Sequence, residues 1–228
     1  MAQDGDPTAG WARRLGASTG GAALAAATRS IAFLRPASKP LHPVGVTLTG
    51  HLTRRGSDEP TGVVWLDEPG QDEVVVRLSR AVGLPSALPD IHGLAMRVPG
   101  EEIGDVLLAS TGWGRLGRYV LTFGRRPEAR PLTSLLPYRT DVGAVVLGAR
   151  AGEAGTYELS WARYDGDWHP FATLALSDQP AADQAISFDP VLHQIPGLVQ
   201  YPTVVRLREP SYLLARRSRR GTQSRSDR

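Results

Sequence analysis

The chain has 228 residues, a formal net charge of +3 and no cysteine. That length reads most simply as one domain with tails, large enough to bury a core without covalent staples. The lack of cysteine excludes disulfides, thiolate-held zinc or iron–sulfur centres and cysteine nucleophiles, and it fits a cytoplasmic setting. Much of the positive charge sits in the final RRSRRGTQSRSDR, leaving a near-neutral body, so nucleic acid is not an expected partner. No apolar run reaches the ~20 residues of a membrane span, and no membrane partner is expected either.

Residues 1–21 form an Ala/Gly-rich leader, expected to be disordered, and 22–35 a short helix. In VGVTLTGHLT (44–53), Val44, Val46, Leu48 and Leu52 alternate with Thr47, Thr49, His51 and Thr53, the pattern of a half-buried strand. Further strands are predicted at 62–66 (GVVWL), 73–79, 93–98, 105–110, 118–123 (RYVLTF), 144–149, 156–162 and 171–176. The connections are rich in Gly, Pro and Asp, as in DEPG (67–70) and YDGD (164–167). A second helix is expected from Pro210 to about Arg220, and a disordered basic tail at 221–228. The sum is a mainly β (α+β) domain over 22–220, an antiparallel sandwich or barrel with short flanking helices. Closure into a barrel removes the exposed edges that so many strands would otherwise present.

Three motifs are set aside on context. Gly16-Ala-Ser18-Thr-Gly20 matches a nucleophile elbow but lies in the leader, without the strand and helix that such an elbow needs. Gly112-Trp-Gly114-Arg-Leu-Gly117 matches a dinucleotide fingerprint, yet RYVLTF after it is β-like, so it is read as a glycine-rich turn. Asp90 and His92, at i and i+2, could join His51 in a metal site, but no spacing supplies a third ligand. A surface or turn pair is the preferred reading.

Read in order, several short segments remain. They are His42-Pro-Val-Gly45-Val-Thr-Leu-Thr-Gly50, Val76-Arg77-Leu78-Ser79, Asp90-Ile-His-Gly93-Leu-Ala95-Met-Arg97, Asp105-Val106, Phe188-Asp-Pro190, Pro196-Gly197 and Arg208-Glu-Pro-Ser-Tyr212. This succession resembles the haem catalase family across residues 39–220. The resemblance implies a catalase-like β-barrel that binds haem b. Tyr212 would be the proximal phenolate on the iron, with Arg208 as its partner. His42 would be the distal proton-transfer group, and Ser79 its hydrogen-bond partner. Arg77 and Arg219 would pair with the haem propionates, and Lys39 stands where the family has a third such arginine. Elementary chemistry agrees: a guanidinium favours an ionised phenol and forks onto a carboxylate.

The sequence also departs from the family. Its distal asparagine falls at Ala109 or Ser110 here, which lowers the expected peroxide dismutation. Pro210 lies between Arg208 and Tyr212, so a helix starting there leaves Arg208 outside it. The segments that form the family's long arm and helical domain are absent or reduced. The expectation is therefore a catalase-like haem protein that acts as a weak peroxidase on hydrogen peroxide or organic peroxides. Its expected partners are a peroxide or small organic substrate and, in a homo-oligomer, further copies of itself. Two alternatives stay open: a haem-free binding protein on the same fold, and a metal-dependent hydrolase or phosphodiesterase using His42, His51, Asp90 or His92. Each residue also has a plain structural reading, with His42 capping a strand, Arg77 exposed on one and Tyr212 in a core.

Overall fold

A computed structural model describes residues 44–83, 85, 87–182 and 186–205. The expectations for the leader, both flanking helices and the tail, and for Lys39, His42, Arg208, Tyr212 and Arg219, lie outside those residues.

The strands are β1 (Val44–Arg55), β2 (Pro69–Arg80), β3 (His92–Val98), β4 (Gly104–Ser110), β5 (Leu132–Thr133), β6 (Tyr138–Thr140), β7 (Gly143–Ala151), β8 (Thr156–Arg163), β9 (Trp168–Pro180) and β10 (Val199–Gln200). Neighbours pair in the order β1-β2-β3-β4-β5-β7-β8-β9, and β9 pairs again with β1. The result is a closed, eight-stranded antiparallel barrel, with β6 and β10 added beside β7. One face of each strand fills the interior. Leu52, Val74, Val76, Leu94, Met96, Val106 and Leu108 come from the first four strands, and Leu147, Leu159, Trp161 and Leu174 from the far wall. The barrel is thus a packed core rather than a channel. Gly50 belongs to this face, beside a register shift between β1 and β9, and a Cβ there would press on Leu174 and Val74.

Two predicted strands are corrected. GVVWL is a single helical turn, α1 (Val64–Asp67). The Asp67 carboxylate accepts the backbone N–H groups of Thr61 and Gly62 and the Thr61 hydroxyl, so local capping overrides the β preference of the valines. Trp65 and Leu66 then turn into the core, where Trp65 meets Phe171 edge-on. RYVLTF begins as a 3-10 turn (Gly117–Tyr119) and contributes only an isolated bridge, Thr111 with Leu121. Side-chain demands decide this as well. The fully buried Arg118 guanidinium donates to the carbonyls of Arg163 and Gly166, and the Tyr119 hydroxyl donates to that of Tyr164.

The alternation in β1 holds as geometry but fails as burial at the strand's first residues. Val46 is exposed at the barrel mouth, whereas Thr47, on the outer face, is buried, and its carbonyl accepts the Ala181 N–H just past β9.

Between β4 and β6 the barrel wall is completed by residues 187–198. The His193 carbonyl accepts the Asp105 N–H, and Ile195 and Leu198 enter the core. Asp105 holds this segment: its carboxylate takes a fork from Arg97 at 2.7 Å on each oxygen, the Asp189 N–H and a contact to His193 Nδ1 at 2.9 Å. Arg97 also donates to the Ser187 carbonyl and lies over the Phe188 ring.

Candidate functional site

The outer face of β1–β4 carries the described site residues. The pairings run Gly45–Ser79–Gly93–Ala109 across four strands, so these side chains share one face and none is larger than serine. At the usual strand separation this row is ~14 Å wide. The row beside it is Thr47–Arg77–Ala95–Leu107. Together they form a shallow floor with one cation on it.

Arg77 does not stand away from the floor. A Cβ on Gly45 would lie 2.9 Å from Arg77 Nε, 2.7 Å from the Leu78 carbonyl and 3.2 Å from Ser79 Cβ. The missing side chain at position 45 is what lets the arginine lie along the sheet beside Ser79. The Ser79 hydroxyl sits 3.5 Å from the Gly93 carbonyl. The structure therefore brings Arg77 and Ser79 together at the end of β1 that follows His42 in the chain.

Register separates the two neighbours Ala109 and Ser110 on this face. Ala109 faces the floor. Ser110 points the other way and is fully committed, donating to the Thr122 carbonyl and accepting the His92 N–H. The floor thus has a methyl group where the resemblance implies an amide.

One side of the floor is walled by the glycine-rich turn. Gly112 N–H donates to the Gly117 carbonyl, and their close approach leaves no room for side chains. The turn carries Trp113, which stacks on Trp168 at 4.0 Å, with Arg118 over Trp168 and Arg150 over Trp113. Both indoles lie against Gly148, itself in the same strand-to-strand row through Thr133. Sequence reading missed this stack. The tryptophans are 55 residues apart and the only local signal was the glycine spacing.

The metal-site residues do not converge. His51 is exposed and pairs with Glu73. His92 lies opposite Arg80, which lies opposite Val44, seven residues and ~23 Å along β1 from His51. Asp90 and His92 are buried and so are not a surface pair; Asp90 forms an isolated bridge with Gly124 and His92 opens β3. Asp90 accepts the N–H groups of Val82, Gly83 and Ile91, while His92 Nε2 meets the Gly124 carbonyl at 2.9 Å. Among the described residues no three His, Asp or Glu side chains could hold a metal ion.

Three tyrosines of the described region, Tyr119, Tyr157 and Tyr201, are held towards the neutral phenol. Burial raises Tyr157 to about 12 and pushes Tyr119 and Tyr201 above the ordinary phenol range.

The architecture is similar to that of a fungal catalase solved as a crystal structure at 1.9 Å, with a TM-score of 0.51 and 10% sequence identity over 74% of this chain. The match takes in 56% of that catalase, so this chain spans little more than half of the neighbour's length. No protein-family model and no curated protein matches the sequence. The fold is therefore a catalase-like antiparallel β-barrel. At this identity the likeness speaks for the fold alone.

Proposed function

We propose that the chain binds one haem b against the outer face of β1–β4 and reacts with peroxides as a weak peroxidase. The observation that carries this reading is the floor itself: a row of Gly45, Ser79, Gly93 and Ala109 with Arg77 laid along it. A flat macrocycle needs a face without projecting side chains, and its carboxylates suit a fixed guanidinium. The residues present fit the group in both respects. Bound haem would supply the redox chemistry of peroxide reduction.

In this reading Tyr212 ligates the iron, and Arg208 keeps its phenol ionised. His42, three residues before Gly45, moves the proton between peroxide oxygens, and Ser79 holds its tautomer. Arg77, Arg219 and Lys39 receive the propionates. Ala109 offers no hydrogen bond to the peroxide, which lowers dismutation and leaves apolar space for an organic substituent.

The test is expression with a haem precursor, followed by visible spectroscopy. A Soret band with a high-spin ferric pattern, lost in Tyr212→Phe, supports the assignment. Arg77→Ala is expected to weaken hemin binding by about tenfold to a hundredfold. A colourless protein that ignores added hemin overturns it and leaves the haem-free binding protein.

A further inference from the structure

Two loops at the mouth of the barrel form one stitched unit. Asp90 and Gly124 exchange backbone hydrogen bonds at 2.9 Å in both directions. The Asp90 carboxylate anchors the N–H groups of Val82 and Gly83, Arg80 holds the Leu88 carbonyl, and Arg130 donates to the Phe123 carbonyl. This framework spends its polar groups internally and turns three apolar side chains outward. Val82 is 45% exposed, Leu88 48% and Phe123 44%. Single exposed apolar residues are ordinary, but three on one hydrogen-bonded unit are less so.

Beside them Arg125, Arg126 and Arg130 are exposed, and none has an ion-pair partner among the described residues. The only acid in 119–130 is Glu128. At the opposite end of the barrel, the turns at 56–68, 99–103, 141–142 and 164–167 carry Asp and Glu and no Lys or Arg. Among the described residues the molecule is thus polarised in charge along its axis, with the cationic end at the first residues of β1. Exposed apolar side chains occur at both ends, Val64 and Ile103 among the acids of the far one, where Arg115 pairs with Asp167.

We propose that this end docks on an anionic lipid bilayer, with Val82, Leu88 and Phe123 entering the interface and Arg125, Arg126 and Arg130 against the headgroups. Apolar side chains gain by leaving water at the acyl boundary, and arginines gain from the negative surface potential. The acidic far end is repelled, which orients the barrel. A two-fold contact with a second copy is disfavoured, because it would set the same three arginines against each other. Among the described residues no helix is long and apolar enough to cross a membrane, and a peripheral surface needs none. The proposal stands independently of haem.

The test uses the full-length chain and sedimentable vesicles of phosphatidylcholine, with and without phosphatidylserine. The chain is expected to pellet with the phosphatidylserine vesicles at low salt and to be released as salt rises. Arg125→Ser/Arg126→Ser and, separately, Phe123→Ser are expected to lower the partition coefficient by about tenfold or more. Arg125 and Arg126 are exposed, so the melt of their double variant is expected to match the parent, and a thermal melt of Phe123→Ser checks that its fold is kept. Failure of the parent to pellet overturns the proposal. Unchanged pelleting of both variants also overturns it and assigns the binding to the basic C-terminus. Self-association without vesicles, removed by Phe123→Ser, overturns it in favour of a second copy.

Discussion

Ala109 and Ser110 are adjacent and similar in size, yet register gives them opposite roles. A strand alternates its faces, so only Ala109 reaches the floor, while Ser110 closes a buried polar network. If the floor is the peroxide side of a haem site, Ala109→Asn will restore a polarising amide. Peroxide dismutation in the haem-loaded protein is expected to rise by up to about 10²–10³-fold, read as oxygen evolution. Tyr157 shows a different residue-scale effect. Its hydroxyl is buried without a hydrogen-bond partner among the described residues, and burial raises its pKa to about 12 from the ordinary 10.0. The folded state therefore favours the neutral phenol. That contribution is complete below pH 10.0 and is lost as pH rises through about 12. Tyr157→Phe is expected to flatten the loss of stability over this window in alkaline urea melts. At neutral pH it is expected to leave stability unchanged or raise it by up to ~1 kcal/mol.

At the scale of elements, the β7–β8 hairpin turns through Ala154 (φ 49°) and Gly155 (φ 75°), and the Thr156 N–H donates to the Glu153 carbonyl. Both central residues are left-handed, which glycine tolerates and alanine does not. Ala154→Asn gives the Asn-Gly pair this turn favours and is expected to stabilise the protein by ~0.5–1 kcal/mol, measured by thermal melting. Seven of the nine predicted strands were legible because alternation survives wherever one face is buried. The other two failed for a shared reason: GVVWL and RYVLTF have β composition, but Asp67 and Arg118 impose turns through contacts that composition does not reveal.

At the scale of the molecule, Arg97, Asp105, Phe188 and Asp189 are dispersed in the chain and converge on one buried clamp that closes the barrel wall. Asp105→Ala strips the fork from Arg97 and frees residues 187–198. A loss of about 3–5 kcal/mol in urea unfolding is expected, with faster proteolysis of that segment. By itself the sequence determined a mainly β domain and seven strands of its wall, because period-two alternation is local. Only the tertiary structure decided which small residues share the floor, that Gly45 lets Arg77 lie flat, that His51 and His92 stay apart, and that Trp113 meets Trp168. Those facts depend on register between strands and on loops folding back across the sheet, which bring together residues that no local pattern relates.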